Sequence, residues 1–413
     1  PETDAVNLLR PLAVQPHAFE EVACDYLNAG CLNDAIRILE APPRLGLPET
    51  AMGHYLLALA YARKGLPAQV VEHALLAARS DTEYLFPWRT EDYLALQEVL
   101  ALRPDDPLAH YALGNWLMAH RRPGEALQEW LRALNPKAVD DAVAQGGVPA
   151  EKISEYRFRS AWRILAQTCL TTPPPQGLPP LATLYRNIGM MMADYCSLHG
   201  VAGRYYQKAV SLRPHDHYLW YERETIASAQ QAASSALKRL YHAPPEVLRE
   251  NRMAQLHAQL LVEDGQYDKA IEILHSRIFH VAEGETSIRP IWVEAYIGKG
   301  IELAYWGDWR GALKCFQKAL EYPHHLGVGK PSRPADAVPL FYAGVAARRL
   351  GREKLANQYW EECVRCRATT HREYRYQAKA LKMMGREEEA NRLLERANVM
   401  YWSTLAEEAF EGW

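Results

Sequence analysis

The alternation of large apolar, small and polar positions along this chain predicts pairs of antiparallel helices. In His110-Tyr-Ala-Leu-Gly114-Asn-Trp-Leu117 an apolar stripe at helical spacing surrounds a glycine. Arg122-Pro-Gly-Glu-Ala126-Leu and Trp130-Leu-Arg-Ala133 follow, and Pro136 ends the run. The pattern returns in Tyr296-Ile-Gly-Lys-Gly300-Ile-Glu-Leu303, Trp306-Gly307-Asp-Trp309-Arg-Gly-Ala312-Leu, Phe316-Gln-Lys-Ala319-Leu and Pro323. In both, the second small residue lies twelve positions after the first. Two helices approach closely only where small side chains sit at the crossing, with larger neighbours at i+3 and i+4 filling the grooves. The same offset joins Ala23 to Ala35, Ala258 to Ala270, Gly344 to Ala356 and Ala378 to Ala390, with Gly30, Gly265, Gly351 and Gly385 at the turns. Glycine suits the left-handed conformation that closes a helix. Two weaker units run from Ala58 through Gly65 to Val70, and from Gly189 to Ala209 and Pro214. About eight helix pairs are expected.

A regular array of this kind repeats every ~34 residues. Here the second-helix anchors Ala35, Val70, Ala126, Ala202, Ala270, Ala312, Ala356 and Ala390 are 34 to 76 residues apart. The long gaps hold insertions, at 80–92, 135–153, 171–180, 214–224, 277–290 and 321–339. Residues 154–168 are amphipathic and 225–241 also read as helix. Thr172-Pro-Pro-Pro-Gln-Gly-Leu-Pro-Pro180 is a stiff connector, since neither helix nor central strand accommodates it. We expect one continuous array over 1–413, with N-terminal repeats in 1–134, an irregular middle in 135–250 and C-terminal repeats in 251–413. Insertions in such arrays gather on one rim and shape a binding face.

The 413 residues are 48% hydrophobic and 23% charged, with a formal net charge of −3. No general attraction to nucleic acid or an anionic membrane follows. Seven scattered cysteines, an odd number, read as reduced thiols, and no apolar run is long enough to span a bilayer. These features together suggest a cytoplasmic protein. The sequence starts at Pro1 without a methionine, so either processing or residues ahead of it are expected.

The repeat units resemble the tetratricopeptide repeat family in four or five cases, and more dilutely over most of the chain. The resemblance implies an all-α fold, a right-handed superhelical solenoid of tetratricopeptide-like pairs with irregular rim insertions. It also implies a groove that takes peptides or partner proteins. A narrower resemblance rests on the insertions: Phe86 to Glu91, Arg186 to Gly189, Phe279 to Glu285, and Tyr322-Pro323 with Leu326-Gly327 and Gly329-Lys330. These are similar to bacterial proteins in which a galactose-mutarotase-like sandwich of unassigned role precedes a diverged tetratricopeptide array. Ala282 and His325 depart from that pattern, where the family has tryptophan and asparagine. The similarity covers roughly residues 15 to 365 and, since no alternating strand pattern is present, implies that this chain is the helical part of a larger protein or a relative that has lost the sandwich.

Candidate chemistry lies in the insertions. His280 with Glu283 and Glu285 would supply acid and base groups or hydrogen bonds to sugar hydroxyls; alternatively the loop only joins two helix pairs. Arg89, Arg186, Arg249, Arg252, Arg277 and Arg289 are planar forks suited to an anionic or polyhydroxyl ligand, or they pair with Glu91, Glu222 and Glu283 to fasten loops. With Trp88, Asn187, Tyr221 and Lys330 these give the candidate ligand set: Trp88, Arg89, Glu91, Arg186, Asn187, Tyr221, Glu222, Arg252, Arg277, His280, Glu283, Glu285 and Lys330. His215-Asp216-His217 reads as a helix start capped by Asp216 rather than a metal site, and Cys363 and Cys366 as core thiols. Trp116, Trp130, Trp309 and Trp360 fall at core positions, whereas Trp88, Trp220 and Trp292 fall in or beside insertions. No phosphate-binding glycine loop, nucleophile elbow or metalloprotease motif occurs. The expectation is a non-enzymatic scaffold without cofactor or metal that binds a protein, a peptide or an attached domain. The alternative is a helical accessory to a carbohydrate site.

Overall fold

The structure is a computed structural model and describes residues 17–82, 85–175, 181–228, 232–280 and 287–411. The chain forms two compact units, Pro1–Gln230 and Gln231–Trp413. In the first, helix α1 (His17–Asn28) pairs with α2 (Leu32–Leu39), and α3 (Ala51–Arg63) with α4 (Pro67–Ala77). The single helix α5 (Thr90–Leu102) precedes the hairpin of α6 (Pro107–Ala119) and α7 (Pro123–Leu134). Then come α8 (Pro136–Ala144), α9 (Arg159–Thr171), the hairpin of α10 (Leu181–Asp194) and α11 (His199–Leu212), and α12 (His217–Ser228).

The second unit opens with α13 (Ala233–Leu240). Its hairpins are α14 (Asn251–Glu263) with α15 (Tyr267–His275), and α16 (Ile288–Tyr305) with α17 (Trp309–Ala319). They continue with α18 (Ala337–Arg349) and α19 (Glu353–Arg365), then α20 (His371–Met383) and α21 (Glu387–Glu411). Among the described residues each unit holds four hairpins, and no strand forms beyond one isolated bridge between Thr50 and Asp81. The chain is an all-α array of helical repeats, as the spacing of small residues predicts. The stretch 225–241, read as one helix from sequence, is two, α12 and α13.

The anchors are at the crossings. Ala23, Ala35, Ala58, Ala126, Ala202, Ala258, Ala270, Ala312, Ala356, Ala378 and Ala390 are fully buried, and Val70 nearly so. The glycine anchors reveal a size rule. A Cβ on Gly114 would overlap the ring of Trp130, one on Gly300 that of Phe316, one on Gly344 that of Trp360, and one on Gly189 would press on Tyr206. Each of these aromatics stands four residues after the small anchor of the second helix. Where the first anchor is alanine, that position carries Leu39, Ala74, Leu274 or Leu394 instead. Glycine therefore makes room for a flat ring laid across the crossing.

Helix starts follow ordinary capping chemistry. Thr50, Asp106 and Asp308 accept from the backbone N–H three residues on, and Thr370 with Glu373 forms a reciprocal box. Six hairpin turns carry a glycine with φ between 72° and 84°. The other two place Arg121 (58°) and Ser197 (52°) in the same left-handed region.

Candidate binding surface

The turn before α5 is built around Arg89. Its guanidinium reaches Glu21 Oε1 at 2.6 and 3.2 Å, Glu20 Oε2 at 3.4 Å and Asp92 Oδ1 at 3.4 Å. Arg89, Glu20 and Asp92 are all buried. Burial works against the Arg89 charge, but the hydrogen bond to Glu21 and the charges of Asp92 and Glu20 hold its pKa above the usual arginine value. Asp92 also accepts from the backbone N–H groups of Trp88 and Arg89, both at 3.0 Å. The Arg89 carbonyl accepts from Trp116 Nε1 at 2.8 Å, and Asn28 donates to Glu91 at 2.6 Å. Of the three candidates here, Arg89 and Glu91 fasten the turn to α1 and α6. Trp88 remains 59% exposed beside Phe86 at 64%.

Arg186 on α10 makes a two-pronged ion pair with Glu222 on α12, at 2.7 and 2.6 Å. The hydrogen bond to Glu222 raises its pKa. Asn187 and Tyr221 flank the pair and are half-buried. Asp216 Oδ1 accepts from the N–H of Tyr218 at 3.0 Å, so it caps α12. Trp220, which falls in an insertion, is buried, donates to the Pro214 carbonyl at 2.8 Å and lies under the Arg223 guanidinium. Arg89 and Arg186 thus serve separate carboxylates within the first unit.

In the second unit Arg277 donates to the Arg249 carbonyl, His280 is exposed and Arg252 lies exposed on α14. The Phe279 N–H donates to the His325 carbonyl at 2.7 Å, which joins two of the insertions. Glu283 and Glu285 lie outside the described residues. Lys330 sits 5.9 Å from the Tyr322 ring. Buried Arg289 also stacks on that ring and donates to the Ala319 carbonyl at 2.8 Å and Asp336 at 3.3 Å. Burial lowers the Arg289 pKa and raises that of Asp336. Trp292 is fully buried and donates to the Lys318 carbonyl, so it belongs to the core. Cys363 is a core thiol whose Sγ donates to the Ala337 carbonyl at 3.2 Å, and all seven cysteines are free.

A different set of side chains, which the sequence reading did not single out, comes together on the first helices of the second unit. Glu294 on α16 and Arg372 on α20 form a two-pronged pair at 2.5 and 3.1 Å, reaching past the intervening α18. Tyr342 on α18 and Tyr376 on α20 share a hydroxyl hydrogen bond at 2.9 Å. Burial and that bond raise the Tyr342 pKa. Lys379 lies 4.4 Å from the Tyr376 ring. The signal was present in the repeat register. Glu294 and Arg372 each stand six residues before the small anchor of their helix, and Tyr342 and Tyr376 each two before. At the far end of α16, Tyr305 and Trp306 are 82% and 77% exposed and meet edge to face at 5.3 Å.

The class that the hairpins define is the all-α helical repeat protein. No family model matches the chain, and no curated protein matches it. Among solved structures it is similar to a tetratricopeptide repeat protein from Parabacteroides merdae, at 14% identity and a TM-score of 0.37 over 66% of this chain and 93% of that one. It is also similar to yeast Tom70, at 14% identity and a TM-score of 0.33 over 93% and 92% of the two chains. A third is a chain of the APC/C hetero-tetramer Cut9–Hcn1, at 13% identity and a TM-score of 0.31 over 96% and 99%. The fold class rests on this chain's own hairpins, not on these likenesses. Among the described residues no helix is long and apolar enough to cross a membrane.

Proposed function

We propose that the chain is a scaffold that binds a protein partner along the first helices of its second unit. One observation carries this reading: side chains from three successive first helices, Glu294, Tyr342, Tyr376 and Arg372, form one partly exposed row. Such a row exists only when the pairs stack, and it presents tyrosine and arginine, the residue types enriched where interfaces concentrate their binding energy. The exposed Tyr305–Trp306 pair adds a second aromatic anchor of the same chemistry. A partner would bind by displacing or bridging the Glu294–Arg372 pair, whose exposed ends hold each other by less than about 1 kcal/mol.

A photo-crosslinking amino acid placed at Lys379, on α20, tests this in the source cell. The same residue at Lys354, exposed on second helix α19, is the comparison. Discrete protein adducts are expected from position 379 and none from 354. Adducts absent at 379, or the same from both positions, overturn the reading.

A further inference from the structure

Between α9 and the start of α11 the first unit holds an open cleft of about 420 Å³. Arg163 of α9 and Arg204 of α11, both exposed, line it together with Ser197, His199 and Gly200 at the start of α11. Among the described residues no carboxylate lines it. Its walls are held in register, because the Tyr205 hydroxyl donates to the Ala166 carbonyl at 2.7 Å and joins α11 to α9. Arg163 and Arg204 have no ion-pair partner among the described residues, whereas Arg89, Arg132, Arg186 and Arg372 each pair with a carboxylate. His199 Nδ1 is buried and makes no hydrogen bond. The first turn of α11 adds no negative charge: Leu198 offers no cap and no acidic residue follows. There is space at the helix start as well, since a Cβ on Gly200 would meet nothing within 4 Å.

We propose that this cleft binds a dianionic phosphoryl group. Two guanidinium forks match a charge of −2 and give parallel hydrogen bonds to its oxygens. The His199 imidazole and the first turn of α11 line the same cleft, and backbone N–H groups at a helix start favour an anion. The site is separate from the first-helix row of the second unit and stands whether or not that row binds a partner.

Calorimetric titration of the full chain with inorganic phosphate at low ionic strength tests the proposal. Saturable binding is expected, and Arg163→Gln and Arg204→Gln should each weaken it by about tenfold or more. Gly200→Glu is the second variant. It places a carboxylate at the helix start, where there is room for one and where the helix field favours it, so the fold is retained and phosphate is excluded. A peptide bearing one phosphoserine gives the other arm: tighter binding than phosphate puts the phosphoryl group on a protein, weaker binding puts it on a small ligand. Absence of saturable binding in both arms overturns the proposal, as does phosphate affinity unchanged in Gly200→Glu.

Discussion

At Arg89 a single side chain closes a turn that two buried carboxylates would otherwise force open. Glu20 and Asp92 are out of water, and removing the guanidinium leaves their charges without a counter-ion. Arg89→Met is expected to destabilise the first unit by about 3–5 kcal/mol, read from urea unfolding. The same change at Arg186, whose pair with Glu222 is far more exposed, should cost about 1 kcal/mol or less. Equal costs at the two positions contradict this account of the turn. The sequence marked Arg89, Glu91, Arg186 and Glu222 as a charged group and left open whether they bind a ligand or fasten loops. Arg89 and Glu91 hold the turn before α5, each with a partner more than sixty residues away, whereas Arg186 and Glu222 join helix α10 to helix α12. Cys24, beside this cluster, has its thiol pushed up to about 12 by burial, so it stays protonated at neutral pH.

Helix pairing is governed by the size of two facing residues. Phe316 lies where a Cβ on Gly300 would be, so Gly300→Ala should cost about 1–3 kcal/mol by overpacking, although alanine favours helix. Adding Phe316→Leu recreates the alanine–leucine crossing found at Ala258 and Leu274. The double variant is expected to lose less stability than the sum of the two single changes. Simple additivity in a thermal-melt cycle would show that the glycine serves something other than the ring. The twelve-residue offset was legible in the sequence because both anchors lie within one hairpin. The aromatic partner was equally local. The single helix α5 and the exact break between α12 and α13 were not, since an insertion's helix is held by neighbours rather than by its own repeat pattern.

Across the whole molecule, stability should fall on mild acidification. His54, His73, His257 and His275 are all held below the ordinary histidine value of 6.5, in each case first by burial. His54 and His73 face each other across α3 and α4 with Nδ1 atoms 3.2 Å apart, so the two rings share one proton. The unfolded chain takes up protons near pH 6.5 while the folded chain resists them. The stabilisation is therefore complete above that pH and is lost as pH falls through the lowered folded values. Urea midpoints should be lower at about pH 5.5 than at about pH 7.5. A His54→Gln, His73→Gln double variant should lose less over that interval; an unchanged pH dependence in the variant removes the pair from the explanation.

The order of small residues and turn glycines by itself predicted the helix pairs, eight among the described residues, because those contacts are made within a stretch of about thirty residues. Which exposed side chains meet was decided only by stacking. Glu294 and Arg372 are 78 residues apart, and a charge on a helix surface has no partner until another helix is laid beside it. The same reason accounts for Trp220 and Trp292, which fall in or beside insertions along the chain and are buried where neighbouring helices cover them.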